Sequence, residues 1–135
     1  MKAFHIDPFN KEIKVTVYSG NYKDISKHIE ASSGLFDVVR LYANQDAAFV
    51  DDEGLYVEDQ NFWIHKNYPT PLAGKALVLG VDDMGDSISP ATTIQQLNDD
   101  IHFIGNSFGL ALLHKLHGRI DDYRPYFFES EKGTA

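Results

Sequence analysis

Six consecutive residues, Ala76-Leu77-Val78-Leu79-Gly80-Val81, carry no charged or polar side chain. An apolar run this short, bounded by Gly74-Lys75 before it and Asp82-Asp83 after it, reads as the central strand of a sheet. The chain offers several partners for it. Lys2-Ala3-Phe4-His5-Ile6-Asp7 reads as a strand that stops at Asp7-Pro8. Residues 12–18 then alternate, with Ile13, Val15 and Val17 on one face and Glu12, Lys14 and Thr16 on the other, the pattern of a half-buried strand. The two form an opening hairpin. Phe36-Asp37-Val38-Val39-Arg40-Leu41, Ala47-Ala48-Phe49-Val50, Leu55-Tyr56-Val57 and Ile101-His102-Phe103-Ile104 add further strands. Asn44-Gln45-Asp46 and Asp51-Asp52-Glu53-Gly54 are the turns between them, because Asp tolerates turn geometry and Gly accepts a positive φ.

Helical spacing occurs in three places. Residues 22–31 place Tyr22, Ile25 and Ile29 on one face, with Asn21 as N-cap and Ser32-Ser33-Gly34 as the stop. Ser89-Pro90 opens a second helix, Ser as N-cap and Pro at its first position, with Ile94 and Leu97 as buried contacts. A third runs over about 107–117, with Phe108, Leu112 and Leu116 as its stripe and Gly118 just past its end. Short strands in hairpins with about three helices predict an α+β fold built on a mainly antiparallel sheet. A length of 135 residues, 43% of them apolar, suits a single domain with its own core. That domain is expected over residues 1–118. Residues 119–135 form an aromatic tail that packs on the domain or on a partner, its last residues frayed.

Three blocks carry a resemblance: Ile6-Asp7-Pro8, Val50-Asp51-Asp52-Glu53-Gly54-Leu55, and Pro71-Leu72-Ala73-Gly74-Lys75-Ala76-Leu77-Val78-Leu79-Gly80. Together they resemble a family of small uncharacterised proteins encoded by phages, plasmids and their bacterial hosts. In that family an acidic "DEGL" turn precedes a "PLAG" segment and a buried strand. The similarity covers roughly residues 1–105. It implies an accessory role on a mobile element and brings no catalytic residues with it.

The one place where the letters spell an enzyme is Gly105-Asn106-Ser107-Phe108-Gly109, the G-x-S-x-G of a nucleophile elbow. An elbow needs an acid and a histidine in the order Ser, acid, His. Downstream of Ser107, His114 and His117 both precede Asp121 and Asp122. On one helix they lie roughly 10–15 Å from Ser107 at a rise of about 1.5 Å per residue. A capped helix start explains the glycines and Ser107 without chemistry. His114 and His117, three apart, are the weak metal-ligand pair, with no carboxylate one turn before His114 to complete a set. The acidic clusters Asp51-Asp52-Glu53 and Asp82-Asp83 with Asp86 miss the EF-hand spacing. No phosphate-loop glycine pattern occurs. The expectation is a chain with no cofactor and no metal.

Composition narrows the partners. There is no cysteine, so thiolate metal sites and disulfide frameworks are excluded. Twelve basic against 20 acidic residues give a net charge of −8, which argues against direct nucleic-acid binding. No leader-like apolar segment opens the chain and no run approaches the roughly 20 apolar residues of a bilayer span, so a cytoplasmic protein is expected. The reading is a non-catalytic binding or regulatory protein that acts on a protein partner, with a homodimer as a further option. Its expected contact surface combines Asp51, Asp52 and Glu53, the loop of Asp82, Asp83 and Asp86, and the aromatics Tyr123, Tyr126 and Phe127 of the tail. A small hydrolase using Ser107 and a small-ligand sensor are the alternatives.

Overall fold

The computed structural model describes residues 1–106. Its larger sheet contains β1 (Lys2–Asp7), β2 (Glu12–Val17), β3 (Phe36–Arg40), β4 (Ala47–Asp51) and β7 (Ala76–Val81), in the order β2-β1-β7-β4-β3. A short strand β8 (Ser87–Ile88) folds back on β7. A smaller sheet has the order β6-β5-β9, from β5 (Phe62–His65), β6 (Leu72–Ala73) and β9 (Ile101–Gly105). Every pairing among the described residues is antiparallel. Two helices accompany the sheets, α1 (Ile25–Ile29) and α2 (Ile94–Asp100). This is the α+β, mainly antiparallel architecture that the sequence predicts. The helix expected over 107–117 lies outside the described residues.

β7 lies in the middle of the larger sheet because both of its faces are needed. Ala76 and Val78 point to one side, into a core shared with Phe4, Ile6, Val50, Trp63, Leu72, Leu97 and Ile101. Leu77 and Leu79 point to the other, against Ala3, Tyr18, Phe49 and the α1 residues Ile25 and Ile29. The result is three layers: α1, the larger sheet, and the smaller sheet with α2. Burying a side chain of the size of Leu77 or Phe4 stabilises by about 1.5–3 kcal/mol, so the apolar run is the energetic centre of the domain.

Four local expectations are corrected. Leu55-Tyr56-Val57 is not a strand: residues Gly54–Tyr56 make a single 3₁₀ turn, closed by Tyr56 N–H to Glu53 O at 3.0 Å, and Leu55 and Tyr56 face solvent. The cause is Gly54, whose Cα is so close to Ala73 that an added Cβ would lie 3.2 Å from the Ala73 side chain and carbonyl. That contact turns the chain away from the sheet. Helix α2 is capped by Thr93, which accepts Gln96 N–H at 3.1 Å, and not by Ser89. The buried Asp46 carboxylate takes the N–H groups of Ala91 (3.2 Å) and Thr92 (2.7 Å), holding that segment out of the helix. The first helix opens with a 3₁₀ turn (Tyr22–Asp24) and ends at Glu30, left-handed at φ 53°, so Tyr22 is exposed rather than buried. Finally, β2 is an edge strand, and of its apolar face only Ile13 packs against the core. Phe62 and Trp63 of β5 are fully buried.

Candidate functional site

The three blocks of the resemblance meet at one end of the larger sheet. Asp7 ends β1, Asp51 ends β4, and Gly74-Lys75 is the corner where the chain steps from β6 to β7. Gly74 is left-handed at φ 78°, and its Cα packs on the Gln60 amide, leaving only 3.2 Å for an added Cβ. Its N–H donates to Asn61 O at 2.8 Å and its carbonyl accepts the Trp63 indole N–H at 3.0 Å. Gln60, buried, donates in turn to Gly54 O at 2.7 Å. Through Gln60, the "DEGL" turn and the "PLAG" corner are one unit.

Beside this unit lies a cleft of about 350 Å³, lined by charged Asp7, Glu30, Asp51 and Lys75 and by apolar Phe9, Ile29 and Val57. Three carboxylates face one ammonium there, and that ammonium is engaged by Glu30. Asp7 organises the β1–β2 turn, accepting Phe9 N–H at 3.0 Å, Asn10 N–H at 3.2 Å and the Asn10 side-chain amide at 2.8 Å. Burial pushes its carboxyl up, but those hydrogen bonds and the charge of Lys75 outweigh it and hold Asp7 below the usual carboxylate range. Asp51 accepts from the Ser32 N–H and hydroxyl, both at 3.0 Å, and from Glu53 N–H at 3.0 Å, which ties the loop after α1 to the end of β4. Asp52 and Glu53 stand in solvent. The adjacent Asp52 carboxyl raises that of Asp37 above the usual carboxylate range, and the two line a separate hollow with Val39, Val50 and Leu55. Tyr56, 86% exposed, is the chain neighbour of Val57 in the cleft wall.

The second acidic loop lies elsewhere. Asp82 follows the far end of β7, about 20 Å from the Lys75 corner at roughly 3.3 Å per strand residue. Its carboxylate accepts the N–H groups of Met84 and Asp86, both at 2.9 Å, so it shapes the β7–β8 hairpin. Asp83 and Asp86 are exposed. The fold does not bring the residues 51–53 and 82–86 onto one surface. Ser107, His114, His117, Tyr123, Tyr126 and Phe127 lie outside the described residues.

A second polar cluster joins α2 to the smaller sheet. His65 accepts Asn67 N–H at Nδ1 (3.1 Å), so its Nε2 carries the proton and donates to the Tyr42 hydroxyl at 2.9 Å. Tyr42 donates to Asp100 Oδ2 at 2.7 Å, which also accepts the Gln96 amide at 2.9 Å, while Lys66 lies 3.3 Å from Oδ1. Burial raises the Asp100 carboxyl, yet the hydrogen bonds of Gln96, Tyr42 and Lys66 prevail and keep it ionised below its ordinary range. Burial and the hydrogen bond to Asp100 push the Tyr42 phenol well above its own. A tyrosine held protonated beside a fixed carboxylate is a structural strut, with no nucleophile in reach of it among the described residues.

Sequence reasoning reached Asp51 and its neighbours through turn chemistry. It missed Asp7, Glu30, Gln60 and Lys75 as a group, and the His65–Tyr42–Asp100 chain altogether. Asp7 and Lys75 lay inside the quoted blocks, which was the available signal. Among the described residues no group of three or more His, Asp or Glu is placed to hold a metal ion, and no helix is long and apolar enough to cross a membrane. No protein-family model matches the chain, nor does any curated protein or solved structure.

Proposed function

We propose that this chain is a non-catalytic binding protein whose cleft at Asp7, Asp51 and Lys75 receives a basic side chain from a protein partner. One observation carries the reading: a cleft of about 350 Å³ in which carboxylates outnumber the single ammonium, walled by Phe9, Ile29 and Val57. A solvated acidic turn has no such wall. A Lys or Arg with an apolar neighbour fits it, the charge meeting the lining carboxylates of Glu30, Asp7 and Asp51 while the neighbour covers Val57 and Tyr56. An exposed tyrosine beside a charged cleft is the residue type on which interface energy concentrates. The net charge of −8 steers basic partners toward it. A mobile-element accessory protein acting on a host protein, as the resemblance implies, has use for such a surface.

Selection of a random peptide library on the immobilised protein tests this. The expected winners carry Lys or Arg next to an aliphatic or aromatic residue and lose their binding to Tyr56→Ala, whose side chain bears no part of the core. Acidic winners, or winners indifferent to Tyr56→Ala, contradict it. The cleft volume also falls in the range of small-molecule sites, about 300–1,000 Å³. A sensor reading predicts a cationic metabolite that raises the melting temperature of wild type and of Tyr56→Ala alike.

A further inference from the structure

The outer edge of β2 presents backbone and side chains of one kind. Met1 and Tyr18 exchange both main-chain hydrogen bonds, the terminal amine to Tyr18 O at 2.7 Å and Tyr18 N–H to Met1 O at 2.8 Å. In an antiparallel ladder such pairs alternate with pairs that exchange none. Along the register, Lys2 with Val17, Phe4 with Val15 and Ile6 with Ile13 are therefore the non-bonded pairs. The N–H and C=O groups of Ile13, Val15 and Val17 point away from β1, and among the described residues no strand pairs with them. The side chains of these three share a face, and Val15 and Val17 are 56% and 77% exposed. A six-residue edge without Pro or bulge is a template for another strand.

We propose that this edge pairs with the same edge of a second copy, antiparallel about a two-fold axis at Val15, joining two larger sheets into one. Any two-fold centred on a β2 residue keeps the apolar residues on a common face, and charge and strand length choose among these registers. Centring on Thr16 or Val17 sets Ile13 or Val15 against Ser19, beyond the end of the strand. Centring on Lys14 sets Lys14 against Lys14 of the partner subunit, a like-charge opposition that destabilises a ladder. Centring on Ile13 sets Val15 against Lys11, whose φ of 56° takes it out of the strand. Centring on Val15 sets Ile13 against Val17 of the partner subunit and Lys14 against Thr16 of the partner subunit. That register uses all the outward-facing main-chain groups of the three residues, and no like charges oppose. The contact is isologous, so it closes at a dimer. β2 carries one Glu and one Lys, already paired at 3.1 Å, so two acidic molecules meet where their charge cancels locally.

The chain has no cysteine, so a single one introduced at the edge reports the register. In the proposed dimer the two copies of residue 15 are a bonded antiparallel pair with Cα atoms about 5.5 Å apart, within the roughly 4.4–6.8 Å that a disulfide spans. The two copies of residue 17 are roughly 13 Å or more apart along the strands. Expected results are a full-length protein that sediments as a concentration-dependent dimer, a covalent dimer from oxidised Val15→Cys, none from Val17→Cys despite its greater exposure, and from Val15→Lys a folded monomer whose melting temperature, unlike that of wild type, does not rise with protein concentration. A monomer at every concentration overturns the proposal. So does equal cross-linking of the two cysteines, or a dimer that survives Val15→Lys. A monomer in which the outward-facing amides of Ile13, Val15 and Val17 are protected from exchange overturns it too, and assigns the edge to another segment of this chain.

Discussion

Gly74 lies where the chain steps between sheets, and the step needs both a left-handed backbone and the absence of a Cβ. Gly74→Ala is expected to lose about 1–3 kcal/mol in urea unfolding, the range for a non-glycine residue forced into that region. The same variant displaces Gln60 from Gly54 and so disturbs the 54–57 turn. A Gly74→Ala protein as stable as wild type contradicts this geometry. Asp100 makes the second residue-scale case. Asp100→Asn keeps the shape but gives up charged hydrogen bonds to Tyr42, Gln96 and Lys66, an expected loss of about 2–3 kcal/mol near neutral pH. The sign with pH follows from the lowered carboxyl. Its contribution is complete above its ordinary value of 3.8, where the unfolded chain is ionised too, and fades as pH falls through the lower folded value. Stability curves of wild type and Asp100→Asn are therefore expected to run at constant separation above pH 3.8 and to converge as pH falls below it. A separation that stays unchanged below pH 3.8 refutes the assignment.

At the scale of elements, α2 is a short helix placed by its surroundings. Thr93 caps it, and Thr93→Ala is expected to cost about 1 kcal/mol, read as a lower midpoint in denaturant. A larger loss from Ser89→Ala than from Thr93→Ala reinstates the cap read from the sequence. That misreading has a clear origin. Ser89-Pro90 has the right letters for a helix start, and only the distant Asp46 carboxylate keeps residues 91 and 92 from joining the helix. Where local pattern and tertiary burial agree, the sequence was sufficient. The apolar run of β7, the strands β1, β3, β4 and β9, and the turn at 44–46 all fall where their residues predict them. Alternation in β2 correctly identified a strand but could not tell an edge from an interior position, because period two reports a face and not who covers it. Leu55-Tyr56-Val57 differs for a related reason: a short run of apolar residues looks like a buried strand until Gly54 is seen pressed on Ala73 and the run is found exposed.

Across the whole molecule, the cleft was legible only in fragments. Residues 51–53 announced an acidic turn, but Asp7, Glu30 and Lys75 come from three other parts of the chain, and antiparallel pairing of β1 and β4 with β7 brings them to one end of the sheet. The same pairing sends residues 82–86 to the opposite end, which spacing along the chain does not reveal. The proposed docking of a basic partner at the Asp7–Asp51–Lys75 end is open to direct measurement: amide chemical shifts of the labelled full-length protein during titration with a short peptide that alternates Arg and Leu. Saturable shifts confined to residues 7, 9, 10, 30, 51–57, 60 and 74–75, weakening as salt rises, are expected. Shifts centred on residues 82–86, or none at any peptide concentration, contradict it.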